Sequence, residues 1–212
     1  MKILILADGD GTRWGNYLGV PKQYITIDGE TILDRMIRLV YQTEKDITII
    51  GSFKNPYAKN DHFDDRLKRY LFQHIAERYR EPFIMLNGDC YYTEEIIKDC
   101  LTRETDRWLH WCCPHRNEYT GKPYGEGYIH KVVDIDWWIR KLKEFNQLVD
   151  SGKIQIGNDW SINRFLYGWS DLKTHYTDPS HLSEYDVYWY DETDDFDYPR
   201  YYDNFIRKTR RI

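Results

Sequence analysis

The stretch Asp8-Gly9-Asp10-Gly11-Thr12-Arg13 follows directly on an apolar run, Ile3-Leu4-Ile5-Leu6-Ala7, and gathers glycines, carboxylates and a cation at one point of the chain. A short, β-branched apolar run that stops at glycines reads as a buried strand ending in a turn. Gly9 and Gly11 free the backbone to adopt positive φ and to bring N–H groups close to an anion, and Arg13 and Lys22 add fixed cations. Ligands of open α/β sheets bind where loops leave the strand ends, so this turn suits a phosphate-bearing ligand. Asn87-Gly88-Asp89-Cys90 ends a second apolar run, Pro82-Phe83-Ile84-Met85-Leu86, in the same manner and places Asp89 at the same rim. Near the end of the chain, Asp194-Asp195-Phe196-Asp197 crowds acids that repel one another unless a cation or solvent compensates them.

In order, these segments resemble the sugar-phosphate nucleotidylyltransferases, of the GT-A type of nucleotide transferase. The family pattern L-A-x-G-x-G-T-R, then P-K, then a turn opening a helix is met by Gly9 to Arg13, Pro21-Lys22 and Ile27-Asp28-Gly29-Glu30-Thr31-Ile32-Leu33. Gly88-Asp89 is similar to the family's h-h-h-h-G-D element. Asp195-Phe196-Asp197-Tyr198-Pro199 is similar to the closing phrase D-I-D-T-P-E-D-Y, with Tyr198 in place of Thr and Arg200 in place of Glu. Gly125-Glu126-Gly127-Tyr128-Ile129 resembles an element that in relatives lies near the acceptor sugar.

The resemblance implies an α/β, Rossmann-like fold, a mostly parallel central sheet flanked by helices, and transfer of an NMP from an NTP to a sugar phosphate or phospho-alcohol. Pyrophosphate is released and Mg²⁺ is the expected cofactor. Ala7, Asp8, Gly9, Asp10, Gly11, Thr12, Arg13, Lys22 and Gly88 are the expected nucleotide-binding residues. Arg13 would take the β- and γ-phosphates that leave, and Lys22 would bridge the α-phosphate and the acceptor phosphate. Asp89, Asp195 and Asp197 are the expected metal ligands, and Lys122, His115 and Lys131 are candidates for the acceptor phosphate. Relatives usually have Ala or Gly where this chain has Asp8, so the base preference does not carry over.

Two other chemistries share some of these residues. Asp8-Gly9-Asp10-Gly11-Thr12 also fits D-x-D-G-T, the opening of haloacid-dehalogenase-type phosphatases, with Asp8 as nucleophile and Asp10 as general acid/base. That reading would recruit Ser52, Lys98 and Asp89, and it leaves Pro21-Lys22 and the Asp195 to Pro199 phrase unexplained. Asp134-Ile135-Asp136 is a D-x-D triplet of the kind that holds a metal against a nucleotide sugar in GT-A glycosyltransferases. The helical pattern that follows from Trp137 to Phe145 makes helix capping the simpler role for these aspartates.

The elements that must carry these residues alternate. Helical spacing runs over 31–41, and Asp46 to Ser52 reads as a strand, so strand, helix, strand implies a parallel sheet. A loop over 52–60 precedes an amphipathic helix from Asp61 that carries Phe63, Leu67, Tyr70, Leu71, His74 and Ile75. A helix over 93–101 capped by Thr93, a strand over 107–113, a loop over 114–127, a strand from Tyr128 to Val133, a helix over 159–167 and an alternating strand over 185–190 follow.

The chain has 212 residues, which sets a single nucleotidyltransferase domain over 1–212 as the expectation. A net charge of -5 with both signs dispersed argues against nucleic-acid binding, and the basic run 207–211 reads as a helix terminus. No apolar run is long enough for a signal or a membrane span, and the four cysteines lack C-x-x-C spacing. A cytoplasmic protein with reduced thiols is expected. Eight tryptophans and nineteen tyrosines are assigned first to the core, with Trp108 to Trp169 as a further candidate region for acceptor specificity.

Overall fold

A computed structural model describes residues 1–7, 9, 11–63, 70–114, 116–154, 159–168 and 183–210. Asp8, Asp10, Leu67, His115 and Trp169, all singled out in the sequence, lie outside the described residues.

The apolar run after Met1 is β1 (Lys2–Leu6), and its alternating side chains set the architecture. Ile3 and Ile5 join one buried cluster and Leu4 joins another, so β1 is covered on both faces. Such strands read as continuous apolar runs, which is why this one is visible in the sequence. A short hairpin, β2 (Thr26–Ile27) and β3 (Glu30–Thr31), turns at Asp28-Gly29, both with positive φ of 54° and 83°. Asn-Gly and Asp-Gly turns adopt this conformation because it matches strand twist. Helix α1 (Ile32–Tyr41) begins there, with Thr31 accepting from the Asp34 N–H as N-cap.

Strand β4 (Ile47–Ile50) lies parallel to β1, and β5 (Lys59–Asp61) lies parallel to β4. The expected loop over 52–60 therefore ends in an edge strand, and the helix expected from Asp61 begins later, as α2 (Leu71–Tyr79). Asp61 is held as a strand end by Arg78, 2.6 Å, and the Tyr79 hydroxyl, 2.7 Å, which reach it from α2. Within α2, His74 is half-buried, 3.8 Å from Glu77.

Strand β6 (Phe83–Asn87) pairs in parallel with the other side of β1, and β7 (Cys90–Tyr91) and α3 (Glu94–Thr102) follow. The N-cap of α3 is Thr93, as expected. Strand β8 (Trp108–Cys113) and strand β9 (Glu126–Val132) are antiparallel to each other, and β9 is also antiparallel to β6. After α4 (Ile135–Asp150), capped by Asp134, and α5 (Asp159–Leu166), strand β10 (Asp186–Tyr188) joins the edge parallel to β8. The chain ends in β11 (Asp194–Asp195) and α6 (Pro199–Thr209).

Among the described residues the main sheet has seven strands in the order β10-β8-β9-β6-β1-β4-β5. It is mostly parallel, with β9 as the reversed member. Helices α1 and α3 cover one face through Leu33, Met36, Ile37, Ile96 and Ile97. The other face packs Ile75 of α2 and Trp138 and Leu142 of α4 against Leu4, Met85 and Trp108. Trp108, Trp111 and Trp138 are fully buried, so these aromatics of the central segment serve the core. A third cluster, Trp14, Ile25, Ile27, Ile32, Tyr91, Phe196 and Phe205, ties the segment after β1 to α6. No helix among the described residues is long and apolar enough to cross a membrane, and all four cysteines are buried.

Candidate active site

Three strand ends and one helix start converge at the rim of the sheet. Ala7 prolongs β1 by donating to the Ile50 carbonyl, 2.8 Å, and Gly11 then turns with φ of 58°. The Gly11 carbonyl accepts from Trp14 N, 2.9 Å, and Gly15 N, 3.3 Å, closing the turn on itself. Trp14 is buried, donates from Nε1 to the Val20 carbonyl at 2.9 Å, and meets Tyr17 and Tyr202 edge to face. The loop is thereby anchored to α6 while Arg13 is left largely exposed. Pro21 starts a short 3-10 turn that directs Lys22 inward, where it is 7% exposed.

Gly88 is explained by close approach. Its N–H donates to the Leu6 carbonyl at 2.7 Å, and an added Cβ would lie 2.6 Å from that oxygen and 3.0 Å from Ala7 Cβ. Only glycine lets the ends of β6 and β1 meet so tightly. Asp89 follows, and β7 immediately pairs with β11, Asp195 opposite Cys90 and Asp194 opposite Tyr91. This short ladder sets the C-terminal acids beside Asp89 although more than a hundred residues separate them in the chain.

The result is one network of ion pairs. Lys22 contacts Asp89 and lies 3.4 Å from Asp197, whose other oxygen is 2.6 Å from Arg13. Burial opposes the charge on Lys22, but the Asp89 and Asp197 carboxylates outweigh it and raise the ammonium's pKa. Burial also works against ionised Asp89, and Lys22 overcomes it, holding that carboxyl below the usual range. The pair is therefore ionised at neutral pH.

Beside it lies a second group that the sequence pattern did not mark as such. Lys122 is fully buried, 3.2 Å from both Glu126 and Asp194 and in contact with Asp195. Asp194 also accepts from the Thr120 hydroxyl. Burial opposes the Lys122 charge, and Glu126, Asp194 and Asp197 raise its pKa against that. For Glu126, burial is the larger effect: despite Lys122, and helped by the neighbouring Asp194 and Asp197, it pushes the carboxyl up to about 7. Asp194 is likewise raised by burial.

Carboxylate oxygens of Glu126, Asp195 and Asp197 lie within 4.8 Å of one another. Oxygens on opposite sides of one Mg²⁺ are about 4.2 Å apart, and oxygen ligands are what Mg²⁺ takes, so a closing of about half an ångström lets this trio hold such an ion. Charge points the same way. Asp89, Glu126, Asp194, Asp195 and Asp197 outnumber Lys22, Lys122 and Arg13 by five to three, and this crowding of acids helps to raise Glu126 and Asp194, a strain that a bound cation would relieve. Two of the three expected ligands, Asp195 and Asp197, are in the trio; Asp89 instead faces Lys22, and Glu126 was missed. Its only advance signals were the flanking glycines and Lys122 four residues earlier.

Lys131, an acceptor-phosphate candidate in the sequence, is elsewhere. It is buried and donates to the carbonyls of Cys100, 3.1 Å, and Arg103, 2.6 Å, satisfying the C-terminal end of α3. Asp134 caps α4 through the Trp137 N–H at 2.9 Å, and Asp136 is exposed with Arg80 3.5 Å away, so among the described residues the D-x-D triplet joins no cluster of metal-ligating side chains. Lys98 is exposed on α3. A further buried polar group sits at the β8–β10 edge, where His110 Nδ1 approaches Asp186 at 3.1 Å and the Tyr167 hydroxyl at 3.0 Å.

A scan against protein-family models finds no match, and a search of curated proteins finds none. Solved structures do match over nearly the whole chain. CTP:phosphocholine cytidylyltransferase from Streptococcus pneumoniae is 13% identical at a TM-score of 0.56, covering 95% of this chain and 96% of that one. A protein from Bacillus anthracis assigned as a glucose-1-phosphate thymidylyltransferase, in complex with sucrose, is 11% identical at a TM-score of 0.60, covering 100% and 96%. The inositol-1-phosphate CTP transferase from T. maritima is 15% identical at a TM-score of 0.56, covering 98% and 96%. The chain thus has a sugar-phosphate nucleotidylyltransferase-like fold.

Proposed function

We propose that the chain, over its whole length, is a Mg²⁺-dependent nucleotidylyltransferase. It transfers an NMP from an NTP to a phosphorylated small-molecule acceptor, a sugar phosphate or phospho-alcohol, and releases pyrophosphate. The observation that carries this reading is the meeting of Lys22, from the segment after β1, with Asp89 after β6 and Asp197 before α6. Structural neighbours that act on CTP with phosphocholine or inositol 1-phosphate support the same reaction class.

In this reading the backbone around Gly9, Gly11 and Thr12, with Arg13, receives the triphosphate. Lys22 lies between the α-phosphate and the acceptor phosphate, and Asp89 and Asp197 keep its ammonium charged and oriented. An oxygen of the acceptor phosphate forms a new bond to the α-phosphorus as the bond to the bridging oxygen breaks, and pyrophosphate leaves with that electron pair. The acceptor phosphate is already ionised at neutral pH, so no general base is needed. Positioning and charge compensation can supply most of the rate. Asp195, Asp197 and Glu126 would hold Mg²⁺, which when bound adds positive charge where phosphate charge accumulates.

The test is pyrophosphate release across NTPs and phosphorylated acceptors. The expected result requires NTP, acceptor and Mg²⁺ together and is lost in Lys22→Ala. Phosphate release from an aryl phosphate that survives Lys22→Ala would select a phosphatase instead.

A further inference from the structure

One cation near the site differs from those within it. Arg13, Lys22 and Lys122 each contact at least one carboxylate, whereas Arg200 makes no ion pair among the described residues. It follows the acidic tract directly, after Tyr198 and Pro199, and yet it leaves those acids to other partners. Instead the guanidinium lies over the ring of Tyr198 at 5.2 Å and over that of Tyr201 at 4.9 Å, and Nη2 donates to the Tyr201 hydroxyl at 3.1 Å.

The two rings stand at 87° to each other, so they hold the guanidinium from two directions, and among the described residues its N–H groups other than the one on Tyr201 stay available to an anion. An exposed arginine is ordinarily just solvated; this one is held by tyrosines that neighbour Arg13 and Lys122. Tyr198 also lies under Arg13, 5.9 Å away, and Tyr201 lies under Lys122, 5.7 Å away. Tyr124 hydrogen-bonds to Tyr201, so the aromatic surround reaches back to the segment that carries Lys122 and Glu126.

Depth decides which part of a ligand Arg200 meets. Lys22, which takes the reacting phosphate in the proposed reaction, is 7% exposed, while Arg200 and Tyr198 are exposed. An acceptor whose phosphate reached Lys22 would meet Arg200 with an end that still faces solvent.

We propose that Arg200, held by Tyr198 and Tyr201, binds a second anionic group of the acceptor, a carboxylate or phosphate distal to the reacting phosphate. This rests on the nucleotidyl-transfer reading. The acceptors it selects are phosphorylated sugar acids or bisphosphates over neutral sugar phosphates.

Affinities measured by thermal shift in the presence of Mg²⁺ test it. The probes are glucose 1-phosphate, glucuronic acid 1-phosphate and glucose 1,6-bisphosphate, with glycerol 3-phosphate against 3-phosphoglycerate as a ring-free pair. The wild-type chain is expected to bind at least one doubly anionic probe about tenfold more tightly than its singly anionic partner, the size of a charge-assisted hydrogen bond. The uronic acid and the bisphosphate arms separate carboxylate from phosphate. In Arg200→Met the difference between partners disappears, and Arg200→Lys restores part of it; a purely structural role would move the melting temperature but not that difference. Equal affinity for partners in the wild-type chain, or a difference that Arg200→Met leaves intact, would overturn the proposal. Failure of nucleotidyl transfer itself is read separately, as absence of pyrophosphate release.

Discussion

Lys22 and Glu126 carry different weights at the level of single residues. In the proposed reaction, removing the Lys22 ammonium takes away the charge between two phosphates, and it leaves Asp89 without its partner. Lys22→Ala is expected to lower kcat/KM for pyrophosphate release by at least about 100-fold, the scale of losing one preorganised electrostatic contact. Glu126→Gln is expected to raise the Mg²⁺ concentration needed for half-maximal activity by more than about tenfold, which a metal titration reads directly. The place of Lys22 beside Asp89 and Asp197 could be read ahead because Pro-Lys follows the glycine segment at a fixed short distance. The place of Glu126 beside Asp195 and Asp197 could not, because it depends on where β9 begins and on Gly125, where an added Cβ would lie 2.3 Å from the Cys113 carbonyl oxygen.

Elements hold these residues in register through a few close contacts. Gly88→Ala is expected to destabilise the protein by about 1–3 kcal/mol, because the new methyl must displace the Leu6 carbonyl or the Ala7 side chain. Urea denaturation would report this as a lower midpoint with an unchanged slope. Phe205→Ala acts further away: Phe205 is fully buried against Tyr91 and Phe196, and its loss should cost about 3–5 kcal/mol and loosen α6 from the segment after β1. Helix α1 was legible from its apolar face, which buries Leu33, Met36, Ile37 and Val40. Strand β5 was not, because Lys-Asn-Asp has neither apolar alternation nor β-branched side chains; it is a strand only because β4 offers an edge and Arg78 and Tyr79 hold Asp61.

At the scale of the whole molecule, the pH dependence of stability follows from carboxylates that folding pairs. Burial works to raise the pKa of Asp61 and of Asp99, but Arg78 and Tyr79 in one case and Arg103 and Trp111 in the other outweigh it, and both are lowered. A lowered carboxyl means that the unfolded chain binds more protons, so this stabilisation is complete above the unfolded value of about 3.9 and is lost as pH falls through the folded values. Asp99→Asn should therefore reduce stability at pH 7 and flatten its loss on acidification, as followed by the melting temperature. The parallel half of the sheet could be inferred from strand-helix-strand rhythm. The reversal of β9 could not, because the segment between β8 and β9 is long enough to serve either direction.

Everything proposed for the site turns on an NMP being joined to a phosphorylated acceptor at Lys22. Mass spectrometry of the product formed from an NTP, Mg²⁺ and acceptor decides this. The predicted product has the mass of the acceptor plus the nucleotidyl group, appears with equimolar pyrophosphate, and is absent with Lys22→Ala. Free phosphate released from the acceptor, or a sugar transferred from a nucleotide sugar while NTP stays intact, would contradict it.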